Sequence, residues 1–273
     1  MKIIIFGNCK DAFVEKIINI LAKNNVEVVS QLDDKEISAD MAISLGGDGT
    51  FLNTASKIGN KNIPILGINA GRLGFLADVS KNEIETVLQD ILDKKYRIEE
   101  RTVLQLSLSG TGGKPAPAIP VSPFALNEIA VLKLDTSAML NISAWVNNEF
   151  INTYKSDGLL VATPTGSTAY ALSVGGAILA PNSQNFIVLP VASHSLTVRP
   201  LVISDSCEIA LKIASRTGYC QIAIDGRSFQ ISDKTEILIK KADYTIKSIQ
   251  PESHSFFNTL RNKLMWGADA RTD

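Results

Sequence analysis

The sequence predicts an α/β half followed by an all-β, sandwich-like half. Over the first hundred residues, short β-branched runs alternate with segments whose apolar residues recur at helical spacing. Beyond about residue 100 that spacing gives way to seven short strand patterns separated by turn residues. The chain has 273 residues, room for about two domains, or one large one, at roughly 150 residues each.

The α/β half reads in order. Lys2 to Phe6 is a strand stopped by Gly7-Asn8. From Asp11 to Asn24, Phe13, Val14, Ile17, Ile18 and Leu21 make one helical face. Val26 to Val29 is a second strand, followed by the polar stretch Asp33 to Glu36. Met41 to Leu45 is a buried strand that runs into a glycine-rich turn, and Thr50 to Ile58 is helical. Ile63 to Ile68 is a further strand. Ser80-Lys81-Asn82-Glu83 is a capping box, opening a helix with Ile84, Val87, Leu88, Ile91 and Leu92 on its apolar face. Alternating strands and helices favour βαβ units, here a Rossmann-like parallel sheet over residues 1–100.

In the second half, Val103 to Leu108 alternates apolar and polar, the period of a half-buried strand. Gly110 to Pro123 is a Gly- and Pro-rich loop. Strand patterns follow at Ile129 to Leu134, Leu140 to Val146, Leu159 to Thr163, Ser206 to Ile213, Tyr219 to Ile224, Thr235 to Lys240 and Tyr244 to Ile249. Asn147-Asn148 and Asp225-Gly226 are turn signals between them. Ser255 to Trp266 is helical again.

Composition excludes several classes of function. With 45% apolar and 20% charged residues the chain is not disordered. Its 27 Lys plus Arg balance 28 Asp plus Glu, so it lacks the basic field of a general nucleic-acid binder. Cys9, Cys207 and Cys220 form no CxxC, which argues against a zinc site or a disulfide framework and fits a reducing, cytoplasmic setting. Without an apolar run of roughly 18 residues, no membrane span is expected. The short apolar run after Met1 lacks the pattern of a signal peptide. The two histidines, His194 and His254, leave a carboxylate as the better candidate for a general base.

The sharpest chemical feature is Gly46-Gly47-Asp48-Gly49-Thr50, between a buried strand and a helix. Ligands of open α/β sheets bind outside the carboxyl ends of strands. Glycines there let backbone N–H groups approach a phosphate, and the helix N-terminus favours anionic charge. Asp48 would be a carboxylate free to reach a reacting hydroxyl. An ordinary Asp-Gly turn is the alternative. There is no GxxxxGK[ST] loop, and Gly67, Gly71 and Gly74 do not make GxGxxG.

A second polar loop, Thr163-Pro164-Thr165-Gly166-Ser167-Thr168-Ala169-Tyr170, continues into Ala171-Leu172-Ser173. Tyr170 offers an aromatic face to a base; a capped strand-to-helix connection is the plainer reading. Asn127-Glu128 can hydrogen-bond ribose hydroxyls or a base edge. Lys155 and Asp157, two apart, would share a face of a strand, or lie on a solvated hairpin edge. Asp225-Gly226 is a standard hairpin turn. His194 reads as a packed or capping residue.

In this order, the pieces resemble the NAD kinase family. The matching stretches are Gly46 to Thr50, Gly67-Ile68-Asn69 with Gly71-Arg72-Leu73-Gly74-Phe75, Asn127-Glu128, Asp157-Gly158, Thr163 to Tyr170, His194-Ser195-Leu196 with Arg199-Pro200-Leu201, and Asp225. The glycine-aspartate turn alone would not suffice, because lipid kinases and phosphofructokinases carry similar turns. The resemblance implies phosphoryl transfer from ATP to the 2′-hydroxyl of the adenosine ribose of NAD, giving NADP, with a divalent ion, Mg²⁺, on the phosphates. A lipid or sugar kinase, or a dinucleotide sensor without catalysis, are the competing readings.

The resemblance makes Asp48 the general base. Gly46, Gly47, Gly49 and Thr50 would face the phosphates, and Gly49 would also approach NAD. Asn127 and Glu128 would hold the adenosine half. Lys155 and Asp157 would sit at the other end, with Asp157 toward the nicotinamide amide. Thr168, Ala169, Tyr170, Ala171, Leu172 and Ser173 would line the adenine pocket, with Ala192 on its wall. Asp225 and Arg227 complete the set, Arg227 as a phosphate contact. Phe75 either closes one side of the cleft or packs in the core. The group holding the metal is left open. Lys155 stands where Arg is common, and Gly226-Arg227 where others carry a His or a polar pair. The family pattern further implies residues 252–273 returning to the 1–100 domain, a site between it and a β-rich 101–251 domain, and a homodimer or homotetramer.

Overall fold

The computed structural model describes residues 1–7, 12–30, 37–69, 71, 74–110, 115–135 and 138–266. Cys9, Asp11, the stretch Asp33 to Glu36, and Arg72-Leu73 of the glycine run lie outside them. The chain divides into two units, Met1–Glu100 with Ile246–Asp273, and Arg101–Thr245.

The first unit opens with β1 (Lys2–Gly7), α1 (Ala12–Lys23), β2 (Glu27–Ser30), β3 (Met41–Leu45), α2 (Asp48–Ile58), β4 (Ile65–Ile68) and α3 (Ile84–Leu92). The strands lie in the order β2-β1-β3-β4, all parallel. Every residue of β3 and β4 is buried, as a sheet covered on both faces requires. Helix α1 buries Val14, Ile17 and Leu21, and α3 buries Ile84, Val87, Leu88 and Ile91. These spacings are single helical stripes.

Two helix starts differ from the sequence reading. Helix α2 begins at Asp48, not Thr50, because the N–H groups of Thr50 and Phe51 already bond to the Gly47 carbonyl. The capping box forms in half. The Ser80 N–H and hydroxyl both donate to the Glu83 carboxylate, and Ser80 caps no helical N–H; α3 starts one turn later, after Glu83.

The chain continues through β5 (Tyr96–Ser109), β6 (Phe124–Ala125), β7 (Glu128–Leu132), β8 (Leu140–Val146), β9 (Glu149–Ser156) and β10 (Gly158–Ala162). A 3₁₀ turn (Gly166–Thr168) and the one-turn helix α4 (Tyr170–Ser173) follow. Then come β11 (Asn185–Val191), β12 (Leu201–Ser204), β13 (Ile209–Ala214), β14 (Tyr219–Ile224), β15 (Arg227–Ser232), β16 (Glu236–Pro251) and α5 (Phe256–Leu264). In the second unit, one antiparallel sheet has the order β12-β11-β10-β7-β14-β15. The other pairs β16, β13, β8 and β9 antiparallel. Ile129, Val131, Leu159, Val161 and Phe186 from the first meet Ile142, Ile209, Leu211 and Ile237 from the second in one core. That is a sandwich. Strand β10 is buried throughout, because Leu160 and Ala162 on its other face pack with Ala171 of α4 and Ile187.

The two strand patterns read at Thr235 to Lys240 and Tyr244 to Ile249 are one strand, β16. The strand runs unbroken through Lys241, whose ammonium bonds Asp205 at 2.6 Å. Ser248, near the end of β16, pairs parallel with Ile65 of β4 in the first unit. Helix α5 belongs to the first unit too, with Ser255 as N-cap accepting the Asn258 N–H. The segment entering it is held by His254, whose ring nitrogens lie 3.4 Å from Asp78 and from Glu83. Those contacts, Asp78 first, hold the imidazole above its ordinary pKa despite burial.

Candidate active site

In the first unit the geometry centres on Asp48. Residues Gly46-Gly47 turn the chain out of β3 and into α2. Gly46 has φ +155°, and a Cβ there would meet the Thr50 hydroxyl at 2.2 Å, so no side chain fits. A Cβ on Gly47 or Gly49 would meet nothing within 4 Å, leaving their backbone open. The Asp48 carboxylate accepts three successive N–H groups: Phe75 on Oδ2 at 3.0 Å, and Leu76 and Ala77 on Oδ1 at 3.0 and 3.1 Å. A Cβ on Gly74 would lie 1.9 Å from Oδ1, so this approach needs a glycine. Lys263 Nζ, from α5, sits 3.4 Å from Oδ2 and 4.4 Å from the Phe75 ring centroid. The Phe75 ring also packs at 6.4 Å from that of Phe256.

In the second unit the same device recurs. Asp225, at φ +47° in the turn between β14 and β15, accepts the N–H groups of Leu126, Asn127 and Glu128 at 2.7, 2.8 and 3.1 Å. The loop after β10 docks on this segment: the Thr163 hydroxyl donates to the Leu126 carbonyl at 2.6 Å and its N–H to that of Asn127 at 2.9 Å. A Cβ on Gly166 would meet the Asn127 carbonyl oxygen at 2.1 Å. The sequence loop is therefore a close-packed connection and a ligand candidate at once. Among the described residues, Asn127 Oδ1, Glu128 Oε2 and Thr165 Oγ1 are buried without a hydrogen-bond partner. Buried polar atoms are normally paired, so three orphans on two segments that dock on each other point to a ligand's donors.

Burial, and then the charge of Asp225, push the Glu128 carboxyl up to about 7; the Tyr170 N–H offsets part of this. A carboxyl raised from its ordinary 4.5 lends stability while protonated. That stability is complete below about 4.5 and is lost as pH rises through about 7, on the order of 3 kcal/mol in all. Glu128→Gln should flatten the stability profile across that window in thermal melts at stepped pH. A profile as steep as the wild type's would remove Glu128 as its source.

The remaining candidates are distributed as follows. Thr168 Oγ1 donates to the Thr165 carbonyl, Ala171 is buried, and Leu172 and Ser173 lie on α4. The Tyr170 side chain is 38% exposed, free to stack. Lys155, one residue before the end of β9, is exposed, whereas Asp157 lies beyond the strand end. They do not form the shared-face pair read from spacing: Asp157 pairs with Lys133 at 2.6 Å. The Asp157 N–H bonds the Val191 carbonyl, next to Ala192, which is held at φ +46°. A non-glycine residue there is a strained position of the kind that gathers at ligand sites. Arg227 donates to the Phe124 and Ile224 carbonyls at 2.8 and 3.0 Å, tying the hairpin to β6. His194 is exposed, its N–H on the Lys155 carbonyl.

Residues 10–96 match the ATP-NAD kinase N-terminal domain, and residues 126–250 the ATP-NAD kinase C-terminal domain. The chain belongs to the NAD kinase family. It is 51% identical to an NAD kinase of Bacteroides fragilis over 91% of this chain and 84% of that one. It is 39% identical to an NAD kinase of Flavobacterium johnsoniae, over 99% of this chain and all of the relative. Among solved structures, an Archaeoglobus fulgidus NAD kinase in complex with ATP superposes with a TM-score of 0.83 at 29% identity, over 97% of this chain and 99% of that one. A yeast NADH kinase complexed with NADH shares the fold, with a TM-score of 0.88 at 23% identity, over 100% and 90% of the two chains. Family membership sets aside the lipid and sugar kinases left open by the glycine-aspartate turn. Sequence reasoning had passed over Lys133 and Lys263, since a lone lysine within an apolar strand or helix pattern carries no signal until the fold brings it to a carboxylate.

Proposed function

We propose that this protein transfers the terminal phosphoryl group of ATP to the 2′-hydroxyl of the adenosine ribose of NAD, giving NADP. The observation that carries the reading is the Asp48 carboxylate, fixed by three N–H groups at the start of α2 beside two open glycines. As the new O–P bond forms, the hydroxyl proton passes to Asp48, and the bond from the γ-phosphorus to its bridging oxygen breaks to release ADP. A ribose hydroxyl is a weak acid, so a positioned base contributes directly. The open amides of Gly47 and Gly49 and the α2 N-terminus receive phosphate oxygens. Asn127 and Glu128 offer their unpartnered oxygens to hydroxyl and amine donors of the adenosine half. Tyr170 stacks on a base, and Asp157, fixed by Lys133, serves the far end of the dinucleotide.

Among the described residues no three His, Cys, Asp or Glu side chains gather to cage a metal ion. The donor set would fit a Mg²⁺ held mainly by the ATP phosphates and water, beside the open Gly47 and Gly49 backbone rather than on a protein cage. Such an ion would supply neutralisation of phosphate charge.

We also read the protein as a homo-oligomer. Leu196 at 88% exposure and Val202 at 43% leave the β12 side of the second unit apolar and open. No helix among the described residues is long and apolar enough to cross a membrane. The free thiols of Cys207 and Cys220 suit the reducing cytoplasm, where we place the reaction.

The test is incubation of purified protein with ATP, Mg²⁺ and NAD, with NADP read by an NADP-specific dehydrogenase. NADP formation is expected. NAD binding without NADP would make the protein a sensor. Light scattering on the same sample should give a multiple of the 29.4 kDa chain mass, and a monomer would overturn the assembly.

A further inference from the structure

Asp48 has nearly exhausted its capacity to accept. An ionised carboxylate offers about four lone-pair positions, two on each oxygen. On Oδ1 both are taken, by the N–H groups of Leu76 and Ala77. On Oδ2 one is taken by the Phe75 N–H. The last faces Lys263 Nζ, at a long 3.4 Å. A hydroxyl that gives its proton to Asp48 must occupy the position that Lys263 holds.

The three N–H donors cannot move aside, because they belong to a backbone segment packed on Gly67, where a Cβ would meet the Leu76 carbonyl oxygen at 2.3 Å. Lys263 can. It ends a flexible four-carbon stem on the last turn of α5, and its side chain is 29% exposed. It lies over the Phe75 ring, a face that supports an ammonium without fixing it.

We propose that Lys263 is a further catalytic residue, a mobile ammonium that holds the acceptor position on Asp48 and passes to the transferring phosphoryl oxygens when the hydroxyl arrives. This rests on the kinase reading above. The exchange conserves charge pairing. Before substrate binds, the ammonium neutralises the carboxylate. Afterwards the hydroxyl takes its place on Oδ2, and the ammonium, a few ångströms away, meets the negative charge on the phosphoryl oxygens. The bonds made and broken are unchanged; Lys263 keeps its proton throughout. A compact ammonium on a flexible stem suits this role better than a planar fork, which is bulkier and less free to turn from one partner to the other.

The experiment compares Lys263→Met and Lys263→Arg with the wild type. Lys263→Met is expected to lower turnover with ATP by about 10²–10³-fold, the usual cost of removing one group that stabilises developing charge. Its NAD dissociation constant should stay within about twofold of wild type, as expected when an interaction made in the transition state is removed. Lys263→Arg should restore charge but not fit, recovering turnover to within about tenfold of wild type. Turnover by Lys263→Met equal to wild type would overturn the proposal, as would loss of NAD affinity in proportion to turnover. Should Lys263→Met fail to fold, amine labelling of the wild type decides. MgATP with NAD is expected to protect Lys263 from trinitrobenzenesulfonate, read by peptide mass spectrometry, and unchanged labelling would overturn the role. A wild type that makes no NADP at all would instead sink the kinase reading.

Discussion

Asp48→Asn is expected to leave a folded protein that binds NAD but makes NADP about 10²–10⁴ times more slowly, the usual contribution of a positioned general base. The substitution is conservative in shape. An amide oxygen in the Oδ1 position still accepts the Leu76 and Ala77 N–H groups. The amide nitrogen then faces the Phe75 N–H, donor against donor, and Lys263 loses its anionic partner. The stability cost should be about 1–3 kcal/mol, that of one hydrogen bond left unmade. Turnover at saturating ATP and NAD, with a thermal melt on the same sample, separates the two effects. Turnover within about threefold of wild type would take the base away from Asp48, since a carboxamide cannot accept the hydroxyl proton.

How far the site was legible follows from where its parts lie along the chain. The β3 strand, the Gly46 to Thr50 turn and α2 are contiguous, and local rules of burial, glycine and helix start describe them. The same holds for β14 and its Asp-Gly turn. What joins Asp48 to Lys263 spans 215 residues and depends on α5 lying beside the turn. No periodicity carries that information. Strand β9 follows the Asn147-Asn148 turn, whose φ values of +50° and +67° are those of a tight hairpin. Its own residues are mixed, with Glu149, Asn152 and Lys155 at a sheet edge, so the alternation is weak. Strand β11 contains Pro190, which usually demotes a strand. It is tolerated because β12 pairs β11 over residues 185–188 alone.

The charge balance of the sequence takes on a different sense beside this geometry. A net charge of -1 excluded a broad basic surface. It did not exclude the local arrangement found at Asp48, with open glycine amides, a helix N-terminus and one ammonium. Asp48 and Asp225 are used alike, each accepting three successive N–H groups from a segment remote in sequence. They differ in exposure. Asp48 keeps a position that can be exchanged, whereas the Asp225 side chain is 5% exposed and its remaining side faces Arg227 at 3.8 Å.

Asp225→Ala should therefore act on stability first. Burial pushes its carboxyl up, against the pull of the three N–H groups and Arg227. Its removal leaves the Leu126, Asn127 and Glu128 N–H groups facing a gap in a region closed by Thr163 and Gly166. Each buried donor left unmade costs about 1–3 kcal/mol. Alanine at φ +47° adds strain that aspartate bears more easily. Removing a neighbouring charge lets Glu128 ionise more readily, which returns part of the loss above neutral pH. The expected net loss is about 3–5 kcal/mol, as for a broken buried charged interaction. Asp225→Asn, which keeps one acceptor oxygen for Asn127 and Glu128, should lose less. Denaturant midpoints for the three proteins at one pH check the order. An alanine variant within about 1 kcal/mol of wild type would mean that the three N–H groups find other acceptors. NAD affinity should fall with stability in both variants, because the displaced segment carries the unpartnered oxygens of Asn127 and Glu128.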